Sequence, residues 1–237
     1  MTAWRFLDTG PASGADNMAM DEKLLAEASK GSAVPVLRFY TWDPPAVSLG
    51  RFQDETSSVN AEACGKHGFD IVRRITGGRA VLHRHELTYS VIAPVGNQLF
   101  PNDVLGTYKV IASGLLAGLI RLGVPAEMVS PTGNRAEMVN RDPKEPACFS
   151  SPSWYEILVH GRKIVGSAQR RLAGAFLQHG SILIDYDPQL EAEVIPGGGL
   201  QAAVTGIRKE MDRDAGLAEV KFAFRSGFSE ALGVSIR

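Results

Sequence analysis

Cys148 and Lys163 are the residues of this 237-residue sequence whose types and spacing could support covalent chemistry. A thiol is a useful nucleophile only as the thiolate, and a nearby ammonium group favours the thiolate by lowering the thiol pKa. The pair therefore predicts an acyl-transfer nucleophile with its activator. Each residue taken alone also has a structural interpretation. Cys148 could be a small buried side chain, and Lys163 could be a solvated surface side chain.

Two local elements must position this pair. Cys148 follows a long polar segment, 130–146, that is rich in Pro, Asn and charged residues. Loops of this length in compact domains are usually functional or disordered. Lys163 lies in a predicted β-hairpin, whose strands at 155–159 and 162–165 flank the two-residue turn His160-Gly161.

A second candidate region is the segment 73–83, in which a strand runs into Gly77-Gly78. Glycines let the backbone approach a ligand closely and offer it N–H groups. Arg74 and Arg79 could hold a phosphate or a carboxylate, and His83 could donate to one. The alternative is a hairpin turn with solvated arginines. The segment matches neither the phosphate-binding loop nor the dinucleotide-binding pattern.

The remaining pattern mixes strands and helices without regular βαβ alternation, which predicts one α+β domain. Small residues at 166–168 and 179–181 fall on predicted strands and indicate bulges or tight packing. The sequence predicts strands at 4–8, 36–40, 46–50, 71–74, 86–92 and 177–184, and helices at 16–29, 102–122 and 219–232.

Composition excludes several classes of function. The chain is 44% hydrophobic and 22% charged with a net charge of −1, so neither nucleic acid nor a membrane surface is an expected partner. No uninterrupted apolar run reaches the roughly 18–20 residues of a membrane span, and the N-terminus lacks signal-peptide features. Only Cys64 and Cys148 are present, which predicts a reducing cytoplasm and no disulfide framework. Cys64, in a helical pattern, is expected to be structural, and no zinc site is expected.

Several segments together resemble one family, the lipoyl-attachment superfamily of lipoate–protein ligases, octanoyltransferases and biotin ligases. They lie at 8–10, 17–22, 73–83, 161–169 and 178–181. The resemblance implies an α+β fold with mixed, largely antiparallel β-sheets packed with helices. It also implies one biotin/lipoate ligase-like catalytic domain over 1–237, with its motifs in about 30–220. Biotin ligases are disfavoured, because Arg-Ile-Thr-Gly-Gly-Arg replaces their Gly-Arg-Gly-Arg-type loop.

The loop around Cys148 indicates which class the chain resembles. Pro-Ala-Cys-Phe at 146–149 and Pro-Ser-Trp-Tyr-Glu at 152–156 are similar to the cysteine loop of the LipM-type octanoyltransferases. A second octanoyltransferase class carries its cysteine just before the His-Gly motif, where this chain has Gln178. The accessory C-terminal domain of many ligases is also not expected. Both features favour the transferase.

The resemblance also assigns roles to residues. It implies that Lys163 contacts the acyl carbonyl and that the Arg-x-x-Gly-Gly segment lines the acyl and nucleotide pocket. With Cys148 and Lys163 as catalytic residues, the implied substrate-binding residues are Arg74, Thr76, Gly77, Gly78, Arg79, Ala80, His83, Gly166, Ser167, Ala168, Gln178, His179 and Gly180.

The implied reaction moves an octanoyl group from octanoyl-acyl carrier protein, through a thioester on Cys148, to the lysine of an apo lipoyl domain such as glycine cleavage H protein. No cofactor, ATP or metal is expected, and a cytoplasmic monomer is the expected form. The alternatives are an ATP-dependent lipoate–protein ligase, an octanoyl amidotransferase between lipoyl domains, and a non-catalytic carrier-binding module.

Overall fold

Two β-sheets of unequal size, packed with helices, form the molecule. The computed structural model describes residues 3–31, 34–96, 99–129, 155–199, 203–211 and 213–237. The strands are β1 Ala3–Ala12, β2 Val36–Trp42, β3 Ala46–Leu49, β4 Asp70–Arg73, β5 Val81–His83, β6 Glu86–Pro94, β7 Glu127–Met128, β8 Ile157–Val159, β9 Arg162–Arg171, β10 Ala175–Leu183 and β11 Ser235–Ile236. The helices are α1 Gly14–Ala28, α2 Glu55–Ser58, α3 Ala61–His67, α4 Val104–Arg121, α5 Pro188–Val194, α6 Ile207–Met211 and α7 Leu217–Leu232.

The larger sheet has eight strands in the order β11-β1-β2-β6-β10-β9-β8-β7. Strand β1 pairs in parallel with β2 and with β11, and the other neighbours are antiparallel. The smaller sheet has the order β4-β3-β5, with β3 parallel to β4 and antiparallel to β5. The predicted fold class, a single α+β domain with mixed, largely antiparallel sheets, is confirmed.

The two faces of the larger sheet are covered differently. Helices α4 and α7 pack on one face and form the main apolar core with alternate residues of β2, β6 and β10. The opposite face is covered by α1 at one end and by the smaller sheet at the other. We call the face that α4 and α7 cover the helix face. The opposite face borders a cavity that is described below, and we call it the cavity face. Since successive side chains of a strand point to opposite sides, each central strand contributes to both.

Helix ends follow the expected capping chemistry. The Ser13 hydroxyl oxygen accepts from the Asp16 N–H at 3.2 Å and caps α1. Asp103 accepts from the Gly106 N–H at 2.6 Å, so α4 begins at Val104 rather than at the predicted residue 102. Gly123, with φ of 83°, follows the end of α4 as predicted.

Helix α4 is long and apolar enough to cross a membrane by length and composition alone, with a mean hydropathy of 1.3. The core helix of a globular protein passes the same test. Cβ atoms built on Gly114 and Gly118 would lie 2.5 and 2.6 Å from the rings of Phe228 and Phe224 of α7. These close contacts make α4 a core helix of the fold.

The strand order of the smaller sheet shows that one alternative from the sequence, a hairpin turn at Gly77-Gly78, is wrong. Strand β5 was not predicted, and β4 and β5 do not pair with each other, since they flank opposite edges of β3. The Gly77-Gly78 segment is therefore not a hairpin turn but a connection that crosses over β3. The hairpin at His160-Gly161 is confirmed, and both turn residues have positive φ, 49° and 74°.

Candidate active site

A cavity with an empty volume of about 370 Å³ lies between the cavity face and the smaller sheet. Every described strand from β2 to β10 except β4, β7 and β8 lines it, together with α1. Its lining residues are Met18, Tyr40, Trp42, Ser48, Arg74, Val81, His83, Thr88, Gly166, Ser167, Ala168, His179, Gly180 and Ser181.

Small side chains keep the β9–β10 end of this cavity open. Gly166 pairs with Ser181, and Ala168 pairs with His179. Directly paired residues share a face, so a row of small groups leads from β9 across β10 to Thr88 of β6. Gly180 lies between them, and a Cβ there would stand 2.1 Å from the Gly166 carbonyl oxygen. Only glycine, which has no Cβ, fits at this contact between β9 and β10 without strain.

A buried hydrogen-bonded chain links α1, β10 and the Gly77-Gly78 segment. His179 Nδ1 lies 3.0 Å from Asp21 Oδ2, and His179 Nε2 lies 2.7 Å from Thr76 Oγ1. Because an ionised carboxylate can only accept, we assign a proton to Nδ1, which donates to Asp21. His179 is thereby fixed in one orientation at the cavity wall.

Asp21 is the centre of a wider polar cluster on the cavity face. Arg38 Nη1 donates to Asp21 Oδ1 at 2.7 Å, and the hydroxyls of Ser90 and Tyr40 donate to Oδ2 at 2.7 and 3.1 Å. Burial raises the pKa of Asp21, but hydrogen bonding and charge interaction with His179, and the charge of Arg38, outweigh it and lower the pKa. Burial, together with the charge of Asp21, raises the pKa of Tyr40. Asp21 is therefore a carboxylate and Tyr40 a neutral phenol at neutral pH.

A second buried chain surrounds His83. Its Nε2 lies 2.7 Å from Ser48 Oγ and its Nδ1 lies 3.2 Å from Glu86 Oε1, which also accepts from the Thr88 hydroxyl. The Trp42 ring stacks on the His83 ring with centroids 4.0 Å apart, and Trp42 Nε1 donates to Thr88 Oγ1 at 2.7 Å. Burial lowers the pKa of His83 in spite of Glu86, so the imidazole is neutral at neutral pH.

Arg74 uses its guanidinium to shape the glycine segment. It donates to the carbonyl oxygens of Ser48, Gly77 and Arg79, at 2.7, 3.2 and 2.5 Å. Gly50 packs against the same segment, because a Cβ at Gly50 would lie 1.9 Å from the Gly78 carbonyl oxygen. These contacts give Arg74 a structural role at the wall of the cavity, which its side chain also lines.

Lys163 lies on β9, and its ammonium group is 2.7 Å from Glu156 Oε1. The Lys163 side chain is only 6% exposed. Its backbone is held by bonds with Ala203 and Thr205, at 2.8 and 3.0 Å. Leu158 faces Lys163 and Ile157 faces Val165, so the strand carries a β-bulge here, which redirects neighbouring side chains. Glu156 also borders a second cavity of about 300 Å³ on the helix face.

The structure brings together many of the residues named from the sequence. Arg74, His83, Gly166, Ser167, Ala168, His179 and Gly180 line the cavity. Thr76 bonds His179, Gly77 and Arg79 accept from Arg74, and a Cβ on Gly78 would be 3.9 Å from that of Ala168.

Three other predicted residues that the structure describes, Ala80, Lys163 and Gln178, do not line this cavity. Ala80 is packed in the small core beneath the smaller sheet. Gln178 faces the helix side, where it donates to the Tyr89 hydroxyl at 3.1 Å and lines the second cavity. Cys148 lies outside the described residues, as does the polar segment that precedes it. Cys64 is fully buried, and burial raises the pKa of its thiol, consistent with the predicted structural role.

Sequence reasoning missed several polar residues of the site. Asp21, Arg38, Ser48 and Glu86 are each buried and hydrogen-bonded, and Glu156 pairs with the predicted catalytic lysine. The available signal was a charged residue inside a strongly apolar strand, as for Arg38 between Leu37 and Phe39. Within the described ranges, no group of three His, Cys, Asp or Glu side chains could hold a metal ion.

Comparison with known proteins identifies the family of the chain. A model of the lipoyl protein ligase A/B catalytic domain matches residues 13–229. Octanoyltransferase LipM of Brevibacillus brevis is 43% identical over 247 residues, covering 100% of this chain and 89% of that protein. Octanoyltransferase LipM of Symbiobacterium thermophilum is 43% identical, covering 99% and 88%.

A solved structure shows the same architecture. Lipoate-protein ligase A bound with ATP superposes with a TM-score of 0.82 at 25% identity, covering 99% of this chain and 87% of that one. Fold, family model and curated relatives agree. The chain therefore belongs to the lipoyl protein ligase A/B catalytic domain family, within which it is a LipM-type octanoyltransferase, an acyltransferase.

Proposed function

We propose that the chain transfers octanoyl from octanoyl-acyl carrier protein to the lysine of an apo lipoyl domain, that of glycine cleavage H protein in particular, with Cys148 as the covalent carrier. The observation that carries this proposal is the similarity to the octanoyltransferases LipM over the whole of this chain. The Pro-Ala-Cys-Phe loop, which resembles the cysteine loop of that class, supports Cys148 as the carrier. The buried Lys163–Glu156 pair supports it from the structure.

The proposed reaction has two balanced steps. The Cys148 thiolate attacks the thioester carbonyl, a new C–S bond forms, the C–S bond to the carrier breaks, and the carrier leaves as its thiolate. The acceptor lysine, as the free amine, then attacks the acyl-cysteine, a C–N bond forms, and the cysteine thiolate leaves and takes the proton that the amine loses. The ammonium group of Lys163 stabilises the thiolate in both steps, and Glu156 holds that ammonium in place.

The cavity provides the acyl site in this proposal. Its row of small groups on β9 begins at Gly166, three residues after Lys163 on the same strand. At the usual rise, this places Lys163 about 10 Å from the β9–β10 end of the cavity. An acyl chain whose carbonyl lies near Lys163 could therefore extend across the cavity face toward Tyr40 and Trp42.

The remaining features of the proposal follow from the same evidence. Residues 1–237 act as one catalytic domain, a cytoplasmic monomer that needs no cofactor and binds neither nucleic acid nor membrane. Two cysteines and a net charge of −1 support the compartment and the partner class. The second candidate is an ATP-dependent lipoate ligase, which the similarity to an ATP-bound ligase structure favours.

Intact-mass spectrometry separates these two candidates. The protein is mixed with octanoyl-acyl carrier protein without ATP, and we expect the mass of one octanoyl group to be added. Cys148→Ser should abolish both the adduct and transfer, because a hydroxyl is not ionised at working pH. Cys64→Ser is the matched control and should transfer normally. An adduct that forms only with free octanoate and ATP would establish the ligase instead.

A second measurement addresses Lys163. Lys163→Ala should raise the pH at which Cys148 reacts with an alkylating reagent, because it removes the cation that stabilises the thiolate. Lys66→Ala, which removes the exposed partner of Glu62, is the control and should leave the profile unchanged. An identical profile for Lys163→Ala and the unmodified sequence would exclude Lys163 from thiolate stabilisation.

A further inference from the structure

The turn at residues 50–53, between β3 and α2, exposes an aromatic ring to solvent. Phe52 is 83% exposed, the highest value among the large exposed apolar side chains of the described residues. The Arg51 guanidinium lies 5.6 Å from the centre of that ring. Aromatic and arginine side chains are the types most enriched at the energetic centres of protein interfaces.

This turn is held rigidly. Arg73 Nη1 donates to the carbonyl oxygens of Gly50 and Gln53, at 3.0 and 2.7 Å. The Gly50 N–H donates to the Gln53 side chain at 2.9 Å, and the Gln53 N–H donates to the Gly50 carbonyl at 3.1 Å. Because the turn is already fixed, little conformational entropy is lost when a partner covers Phe52, and this favours binding.

The turn is joined directly to the wall of the cavity. The Arg51 N–H donates to the Thr76 carbonyl oxygen at 2.8 Å, and the Thr76 hydroxyl bonds His179, which lines the cavity. A protein that covers Phe52 therefore lies beside the glycine segment of the site.

The charge at this turn is also accessible. Arg51 is exposed and forms no ion pair with any described residue. The nearby Asp54 is used at the start of α2, where it accepts from the Thr56 N–H at 3.0 Å. Arg51 can therefore pair with a carboxylate of a partner without first breaking an ion pair.

We propose that residues 50–53 dock the lipoyl-domain acceptor, with Phe52 buried in an apolar patch and Arg51 paired with a carboxylate of that domain. The inference rests on the proposed function. A lysine side chain is short, so the acceptor domain must press against the edge of the cavity for its amine to reach the acyl group. The donor carries its thioester on a long, flexible arm and can dock farther away.

Steady-state kinetics on the full chain test this inference. Phe52→Ala should raise the KM for apo H protein about tenfold, with kcat and the rate of acylation by octanoyl-acyl carrier protein unchanged. Arg51→Ala should raise the same KM less and should reduce its dependence on salt. The matched control is Phe222→Ala, which removes another exposed phenylalanine, 67% exposed on α7 at the helix face. This control should leave every constant unchanged.

Each outcome separates the inference from the function it rests on. If the unmodified protein transfers octanoyl and Phe52→Ala has an unchanged KM for the acceptor, the docking surface is wrong and the function stands. If Phe52→Ala slows acylation by the donor instead, the surface belongs to the carrier protein and the inference is overturned. If the unmodified protein is not acylated and transfers nothing, the proposed function itself has failed.

Discussion

The helix face and the cavity face of the larger sheet are built from the same strands but from opposite chemistry. On β6, Leu87, Tyr89 and Val91 pack against the helices, whereas Thr88 and Ser90 face the cavity side. All five are buried. Burial alone therefore does not distinguish a core from a site. The distinction lies in polar side chains at every second position of a strand that is buried on both faces.

The two faces are stabilised by different means. The helix face excludes water from apolar groups, a stabilisation that needs no specific geometry. The cavity face buries Asp21, Arg38, His179 and Glu86, which are tolerated only while each keeps its partners. The cavity face should accordingly be the more sensitive to single polar substitutions and the more dependent on pH.

Removing one partner of the Asp21–Arg38 pair should have the largest effect. Arg38→Met should lower the free energy of unfolding by about 3–5 kcal/mol, because it leaves the Asp21 carboxylate buried without its guanidinium. Denaturant titration measures this. The double variant Arg38→Met with Asp21→Leu should recover much of the stability but not the transfer activity, since His179 has then lost its Nδ1 acceptor. If Arg38→Met alone lowers the free energy of unfolding by less than about 1 kcal/mol, the cavity face is not especially sensitive to polar substitutions.

A methyl group at the contact between β9 and β10 should have the next effect. Gly180→Ala should destabilise the fold by about 1–3 kcal/mol, because its Cβ would overlap the Gly166 carbonyl and approach the Tyr89 ring to 2.9 Å. Gly65→Ala in α3 is the control, since nothing lies within 4 Å of its Cβ position. That variant should gain about 0.5–1 kcal/mol in helix stability. Thermal unfolding followed by circular dichroism compares the two.

Tyr89 carries a polar group on the helix face and offers a smaller test. Its hydroxyl lies 2.7 Å from Ser167 Oγ and accepts from Gln178, and burial raises its pKa to about 12. Tyr89→Phe should cost about 1 kcal/mol, the net value of the lost hydrogen bonds. It should also remove one tyrosine that titrates near pH 12 in an absorbance titration. A titration that is unchanged by the substitution would contradict the assigned burial of this hydroxyl.

The smallest expected effect is on the pH dependence of stability. The folded state lowers the pKa of His83, so in acid the unfolded chain binds a proton that the folded chain does not. The contribution of His83 to stability is therefore complete above the unfolded pKa, about 6.5, and is lost as the pH falls below it. His83→Gln should flatten this part of the stability curve between pH 7 and pH 5, measured by denaturant titration at each pH. An unchanged slope would show that His83 is not the group responsible.

Sequence alone predicted the fold better than the site. Apolar periodicity located the long helices α4 and α7, and Gly123 located the end of α4. The short strands β5, β7 and β11 were missed, because two or three residues cannot show an alternating pattern. The assignment of β4 and β6 to different sheets was also out of reach, since pairing over long separations leaves no local signal.

Candidate site residues could be predicted where a residue type itself carries chemistry. Lys163, Arg74, His83 and His179 were identified from their motifs, and the structure gives each a buried, hydrogen-bonded place. The residues that orient them, Asp21, Glu86 and Glu156, needed three-dimensional information. Asp21 contacts His179 across 158 residues, so this contact leaves no local signal in the sequence. Glu86 and Glu156 pair with His83 and Lys163, which lie only three and seven positions away, but the sequence spacing alone does not show that these side chains meet.

The contact between Asp21 and His179 joins positions 158 residues apart. Closing so long a loop costs conformational entropy that nearer contacts must first offset. On the ribosome, the residues of α1 and β2 are synthesised long before those of β10, so Asp21 and Arg38 emerge well before His179. The chemistry of this protein can begin only when the chain up to His179 has emerged and the central sheet has closed. Only α5, α6, α7 and β11 follow β10 in the chain, so the cavity can be completed only late in synthesis.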